Sequence, residues 1–302
     1  MTASTTIGLL QLSPVFKNPT ATIDLAEKLI TDLRPGQIDL LILPELALAG
    51  YNFQSYEEIE PFVESEIDGI SVTWAKKTAT RLNCHVIIGF AQRIPSNPNS
   101  SDQSDQKCYN SLAIISNESK LLKTYHKTQL YPAVDPLWAK AGEGFLRMDL
   151  KIGKSSNGDL RDVKCCIGIC MDLSPDKFEA PFDAYELSSF SVQNGAELLL
   201  CPMAWLSSTS NPDPNQTLSG KSWSEVGSTL NYWAARCKPL WEKAGQTFVA
   251  CNRVGCEKDT VYTGTSCVIS NVPEEGESLS EIPERPTVLV HANVLGCRAK
   301  AM

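Results

Sequence analysis

The sequence predicts an α/β fold in which a sheet rich in parallel strands is covered by helices on both faces. Short apolar runs without polar alternation, such as 39–43 and 197–201, are typical of strands buried on both sides. Amphipathic stretches separate these runs, and residues 20–33 carry apolar side chains at helical spacing. The chain has 302 residues, 42% of them hydrophobic, which is enough for a large core. Alternating strands and helices predict a layered architecture.

The predicted elements follow one another with few interruptions. Apolar runs, the second of them stopped by Pro44, predict strands at 6–12, 39–43, 85–90, 111–116, directly before Lys127, 164–169, 197–201, 247–251, 266–270 and 287–292. Apolar residues at helical spacing predict helices at 20–33, 72–83, 184–194 and 222–244. Polar, turn-rich segments predict loops at 96–106, 207–220 and 273–284. No repeat or linker-like break divides the chain, so we expect a single domain over residues 1–302.

Composition and charge narrow the function classes. The chain has 27 Lys and Arg against 35 Asp and Glu, a formal charge of −8, and no basic cluster. We therefore expect no nucleic-acid partner and no anionic membrane surface. No run approaches the roughly 20 apolar residues that span a bilayer, and the first residues lack a signal-peptide pattern. The 11 cysteines are an odd number in apolar contexts, which predicts reduced thiols and a cytoplasmic protein.

Three reactive side chains stand at the ends of predicted strands, where α/β folds place their sites. Glu45 follows the strand that Pro44 ends, Lys127 follows the strand before it, and Cys170 follows the strand at 164–169. Each alone has a structural explanation, as a solvated loop carboxylate, a surface charge or a small buried hydrophobic residue. The functional interpretation therefore depends on the three together.

The motifs around these residues resemble those of the nitrilase, or carbon–nitrogen hydrolase, superfamily over nearly the full chain. Leu43-Pro44-Glu45-Leu46 with Gly50-Tyr51 is similar to the first family motif, Tyr125-His126-Lys127 to the second, and Gly168-Ile169-Cys170-Met171-Asp172 to the third. Flanking runs agree, including Cys201-Pro202-Met203-Ala204-Trp205 and Asn252-Arg253-Val254-Gly255. The resemblance implies a nitrilase-type four-layer α-β-β-α sandwich.

The resemblance also implies catalytic roles that suit the chemistry of these residue types. A cysteine attacks as its thiolate, so it needs a base and a positive neighbour. Glu45 would take the thiol proton, pass it to departing ammonia and then activate a water. Lys127 would stabilise the oxyanion, with the N–H of Met171 as second donor. An acyl-thioester on Cys170 would be the intermediate.

Many amidases of the superfamily carry a further acid beyond the lysine that positions the substrate or the lysine. Asp135 occupies the nearer position here and Glu143 the further one. We favour Asp135 slightly, and a loop carboxylate without a role is the alternative.

The segment after Cys170 indicates which branch of the superfamily the chain resembles. Common members read Cys-Tyr-Asp-x-Arg-Phe-Pro-Glu, whereas this chain reads Cys-Met-Asp-Leu-Ser-Pro-Asp-Lys-Phe-Glu-Ala-Pro-Phe at 170–182 and lacks the arginine. With residues 201–205, this string resembles the fungal-type protein N-terminal amidases. That resemblance implies substrates that are polypeptide N-termini bearing Asn or Gln, deamidated to Asp or Glu with ammonia release to feed the N-degron pathway.

Such a substrate carries an α-ammonium, so we expect a further acid in the pocket. Asp172 is the first candidate, with Glu179 and Glu186 behind it, although Asp172 is also suited to capping the helix after the nucleophile. We predict that Asp172, Met171, Asp135 and Trp205 contact the substrate. The loop at 207–220 would line the pocket mouth.

Other functions stay open at this stage. The first alternative is an amidase of the same superfamily acting on small amides, of the ω-amidase or carbamoylase type. The second is a catalytically silent binding protein on this scaffold. Cysteine spacing does not suit zinc, and no glycine-rich phosphate loop is present, so we expect no metal and no other cofactor. His126 is interpreted as structural, because it would point opposite to Lys127 on a strand.

Overall fold

The computed structural model of the protein describes residues 3–94, 107–154, 157–208, 223–243, 246–270 and 288–295. The strands are β1 (Ala3–Leu10), β2 (Leu40–Ile42), β3 (His85–Arg93), β4 (Cys108–Ile115), β5 (Leu121–His126), β6 (Ala139–Lys140), β7 (Leu146–Lys154), β8 (Leu160–Ile167), β9 (Leu198–Met203), β10 (Thr247–Asn252), β11 (Val254–Glu257), β12 (Thr260–Thr263), β13 (Cys267–Ser270) and β14 (Val288–Leu295). The helices are α1 (Pro19–Leu29), α2 (Tyr56–Ile59), α3 (Ile70–Leu82), α4 (Glu186–Gln193), α5 (Trp223–Arg236) and α6 (Lys238–Lys243).

Twelve of the strands form one continuous sheet with the order β13-β10-β9-β8-β7-β1-β2-β3-β4-β5, with β14 beside β1 and β6 beside β4. The strands β8, β9 and β10 are parallel, so their carboxyl ends lie at one edge. On the other half, β2 and β3 are parallel. The strand β5 runs in the same direction as these two, because β4 is antiparallel to both β3 and β5. Each half of the sheet therefore presents several strand ends at one edge.

Successive side chains of the strands point to opposite faces of the sheet and pack into three apolar layers. This arrangement confirms the predicted α/β fold class. Leu41 and Leu43 pack with α1 and α3 on one outer face. Leu199 and Phe248 pack with α4, α5 and α6 on the other. The inner faces of both halves meet in a shared core that contains, among others, Ile42, Ile87, Leu112, Ile167, Leu200 and Val249. The order of layers is therefore helix, sheet, sheet, helix.

The first helix shows how local sequence sets these boundaries. The Asn18 side chain accepts a hydrogen bond from the N–H of Ala21 at 3.0 Å, which caps the start of α1. Pro19 occupies the first turn, where its missing N–H costs nothing. The helix then buries Thr22 and Ala26 against the sheet.

The structure differs from the predicted elements in several places. The predicted helix 222–244 is two helices, α5 and α6. Pro239 cannot lie in the interior of a helix that began at Trp223, but it is tolerated in the first turn of α6. The strand β7 and the hairpin β11–β12 were not predicted. The predicted loops 96–106 and 273–284, and most of 207–220, lie outside the described residues. Within the described residues, no helix is long and apolar enough to cross a membrane.

Candidate active site

Three buried charged side chains lie in contact at the strand ends of the sheet half that contains β2, β3 and β5. The ammonium nitrogen of Lys127 lies 2.7 Å from Glu45 Oε1 and 2.7 Å from Asp135 Oδ2. All three side chains are fully buried. Burial alone would lower the pKa of Lys127, but the carboxylates of Asp135 and Glu45 outweigh it and raise that pKa above its ordinary value. The lysine is therefore a fixed positive charge.

Neutral donors complete the coordination of the two carboxylates. Glu45 Oε1 also accepts from the side-chain amide of Asn110 at 2.6 Å, and Oε2 accepts from the N–H of Ala204 at 2.9 Å. Asp135 accepts from the hydroxyl of Tyr51 at 2.8 Å. These contacts fix the direction in which each carboxylate points, because a buried charge is tolerated only where hydrogen bonds satisfy it.

Two glycines allow the backbone to approach these charged residues closely. A Cβ on Gly89 of β3 would lie 2.5 Å from the carbonyl oxygen of Pro44, directly beside Glu45. A Cβ on Gly142 would lie 2.4 Å from the carbonyl oxygen of His126, and the Gly142 N–H donates to the Lys127 carbonyl at 2.8 Å. The turns that hold Glu45 and Lys127 therefore depend on residues without side chains.

Cys170 follows β8, in the sheet half that contains β8, β9 and β10, and it begins a short 3-10 helix, Cys170–Leu173. Its φ of 41° is in the left-handed region, which a residue with a side chain rarely adopts. Burial is the largest cause that raises the pKa of its thiol well above the usual range; Glu45 raises it further, and Lys127 opposes the rise. At neutral pH the resting group is therefore the thiol.

A cavity of about 200 Å³ gives access to this cysteine. Its lining is almost entirely apolar and includes Met171 and Trp205 as predicted, with Tyr51, Tyr131, Cys170, Ser174, Phe178, Ala204 and Leu206. No carboxylate is among these lining residues. Within the described residues, the N–H of Met171 donates no backbone hydrogen bond outside its own 3-10 helix.

Asp172 does not reach the cavity, and its geometry favours the structural alternative over the predicted contact with substrate. Its Oδ1 accepts from the N–H groups of Thr128 and Gln129, at 3.1 and 2.7 Å. Its Oδ2 accepts from the Tyr125 hydroxyl and the Ile169 N–H, both at 2.7 Å. Burial raises the pKa of Asp172 to about 6 in spite of these four donors. The side chain ties the loop after Lys127 to the turn of Cys170.

The remaining acidic candidates are also accounted for. Asp135 contacts Lys127, whereas Glu143 is exposed. Glu179 is exposed, and Glu186 forms an ion pair with Arg236 at 2.6 Å. The expected acid for an α-ammonium is therefore not present among the residues that line the cavity.

Replacing Asp172 by alanine is expected to lower the free energy of unfolding by about 3 kcal/mol or more, because it leaves three buried N–H groups and a hydroxyl without their acceptor. Urea denaturation of the two proteins measures this. The prediction is wrong if the free energy of unfolding of the variant lies within 0.5 kcal/mol of the parent's, roughly the scatter of neutral surface substitutions. If the KM for substrate is raised as well, Asp172 binds substrate instead.

Sequence reasoning missed three residues of the site, Tyr51, Asn110 and the backbone of Ala204. Tyr51 falls inside the first motif, after Gly50, so its position was visible without its role. Asn110 and Ser111 are polar residues in the first half of β4, before the apolar run Leu112–Ile115, and that contrast was the available signal. The N–H of Ala204 carries no sequence signal.

Comparison with known proteins agrees with this geometry. Residues 6–173, which contain Glu45, Lys127 and Cys170, match the model of the carbon–nitrogen hydrolase family. The chain therefore belongs to the carbon–nitrogen hydrolase family.

Within that family, the chain is similar to proteins named protein N-terminal amidase. It is 40% identical to the one from Saccharomyces cerevisiae over 221 residues, which is 70% of this chain and 45% of the relative. It is 32% identical to the one from Schizosaccharomyces pombe over 248 residues, 77% of this chain and 78% of the relative. The chain thus spans less than half of the first relative's length.

The fold also matches that of solved proteins. A crystal structure of an N-terminal amidase with a Gln-Gly peptide superposes with a TM-score of 0.74 at 24% identity, covering 92% of each chain. This likeness confirms the nitrilase-type fold.

Proposed function

We propose that the protein hydrolyses the side-chain amide of Asn or Gln at the N-terminus of a polypeptide, yielding Asp or Glu and ammonia. The observation that carries this proposal is the small cavity in which the thiol of Cys170 is reached beside the buried Glu45–Lys127 pair. The likeness to protein N-terminal amidases over most of the chain supplies the substrate class.

The first half-reaction makes an acyl-enzyme. Glu45 takes the proton of the Cys170 thiol as the sulfur forms a bond to the amide carbon of the substrate. The oxyanion is stabilised by the Lys127 ammonium and the Met171 N–H. Glu45 then passes its proton to the amide nitrogen, the carbon–nitrogen bond breaks, and ammonia leaves behind a thioester.

The second half-reaction restores the enzyme. Glu45 accepts a proton from a water molecule, whose oxygen bonds to the thioester carbon. The carbon–sulfur bond breaks, and the proton returns to Cys170 while the carboxylic acid leaves. In this scheme Asp135 positions Lys127, because its carboxylate forms a second buried ion pair with the same ammonium, at 2.7 Å.

The product of this reaction is a polypeptide with a new N-terminal acid, so the proposal includes a place at the start of the N-degron route to degradation. The ten cysteines in the described part of the chain are all unpaired, which supports a cytoplasmic location within the same proposal.

The test uses short peptides that begin with Asn, Gln, N-acetyl-Asn and Gly-Asn, with free glutamine analogues beside them. Ammonia release and the mass change from amide to acid are followed, with Cys170→Ala as the inactive reference. Conversion of only the free N-terminal Asn and Gln peptides is the expected result. Conversion of the free small amides but none of the peptides would instead identify a small-molecule amidase, and no conversion at all would favour a silent scaffold.

A further inference from the structure

The residues that line the cavity differ in their exposure to solvent. Tyr51 and Ala204 are buried at the closed end, beside Cys170. Tyr131 and Leu206 are half-buried, and Phe178 is 56% exposed. The cavity therefore opens to solvent past the ring of Phe178.

The volume of the cavity limits how much of a polypeptide it can hold. The volume is about 200 Å³. That space suits a single Asn or Gln residue with its carboxamide at Cys170. With that carboxamide at Cys170, the second residue of a polypeptide is expected at the exposed part of the lining, where Phe178 is the most exposed residue.

The ring of Phe178 is held in place although it is exposed. Lys177 and Phe178 both have left-handed backbones, with φ of 53° and 60°. Two consecutive side-chain-bearing residues in this region cost free energy that the surrounding contacts must offset. The Phe178 N–H donates to the Pro175 carbonyl at 2.9 Å, and its ring packs edge-on against Tyr131 with centroids 6.2 Å apart. The turn thus presents a large apolar ring to solvent at the exposed side of this cavity.

We propose that Phe178 is a specificity-determining residue that selects substrates by their second residue, favouring large apolar side chains over glycine and over charged ones. This inference rests on the proposed function. The ring offers apolar surface to a neighbouring side chain, and burying that surface is favourable in proportion to its area. Among the described residues that line the cavity, none is charged.

The experiment measures kcat/KM for peptides that begin Asn-Gly, Asn-Leu, Asn-Phe, Asn-Glu and Asn-Lys and are otherwise identical. We expect Asn-Leu and Asn-Phe to exceed Asn-Gly by about tenfold. In the Phe178→Ala variant, the ratio of kcat/KM for Asn-Leu to that for Asn-Gly should fall to about one.

Phe182→Ala is the matched control. Phe182 is also an exposed phenylalanine, at 47%, but it packs on Tyr232 and Arg236 and does not line the cavity. This variant should keep the full preference of the parent. Equal rates across the series in the parent protein, or the same loss in both variants, would overturn the inference while leaving the proposed function standing. If none of the Asn peptides were converted, the proposed function would fail and the inference with it.

Discussion

Replacing Lys127 by methionine should lower the free energy of unfolding by about 3–5 kcal/mol, because it removes the one cation between two buried carboxylates. Glu45 and Asp135 each lie 2.7 Å from the ammonium and are fully buried, so neither reaches water when the charge is removed. Methionine fills a similar volume, which keeps the loss electrostatic. Chemical denaturation of the parent and the variant gives the difference directly.

The same substitution should reduce kcat on an Asn peptide by a thousandfold or so, since the oxyanion loses a preorganised positive partner. Adding Asp135→Asn to Lys127→Met separates the two effects. The double variant should recover part of the lost stability, because one of the two orphaned charges is gone, and none of the activity. Full activity in the single variant would show that Lys127 is structural only.

Replacing Glu45 by glutamine should abolish most hydrolysis and make the nucleophile more reactive toward an alkylating agent. Loss of a general base used in both half-reactions lowers kcat by about a thousandfold. Glu45 also raises the pKa of the Cys170 thiol, and Lys127 lowers it. Without the carboxylate, the thiol ionises at lower pH, so a larger fraction is thiolate at any given pH.

Iodoacetamide modification of Cys170 at several pH values, read by peptide mass mapping, measures this second effect. Cys256 is exposed on β11 and serves as the internal reference for reagent activity. Glu143→Gln removes an exposed carboxylate instead and should change neither hydrolysis nor modification. A slower modification of Cys170 in Glu45→Gln would contradict the electrostatic account and indicate that Glu45 deprotonates the thiol even in the free enzyme.

The three reactive residues were predictable because each follows a strand whose apolar run and stop signal are plain in the sequence. Pro44 marks the end of the strand before Glu45, and the run up to Ile167 marks the one before Cys170. Parallel strands bring such ends to one edge without any knowledge of side-chain contacts. The grouping of these residues therefore followed from topology and a family motif.

The partners of these residues were not predictable in the same way. The sequence predicts that Asp172 contacts the substrate, because a buried carboxylate needs a partner. The carboxylate does have partners, but they belong to the protein. Its four donors come from β5 with the loop that follows it and from the turn before Cys170, and the meeting of these segments depends on tertiary packing. A single sequence shows that a carboxylate is present but not what lies within 3 Å of it.

Among the secondary-structure elements, the strand β7 illustrates a signal that was present but not used. Leu146, Met148, Leu150 and Ile152 alternate with polar or small residues, which is the period of a half-buried strand. The division between α5 and α6 was likewise marked by Pro239. The hairpin β11–β12 is short and mixed in composition, and its formation depends on packing of Tyr262 and Glu257 against the loop after the first motif.

The folding of one sheet onto itself has a mechanical consequence for the reaction. Glu45 and Lys127 are carried by one half of the sheet, and Cys170 and Ala204 by the other, so the reactive atoms meet only as well as the two halves are pressed together. A misplacement of about 1 Å can cost a hundredfold in rate. The side chains of the shared inner core thus set the distance between Glu45 or Lys127 and Cys170. A change of side-chain size in this core is therefore expected to lower kcat before it measurably lowers the free energy of unfolding.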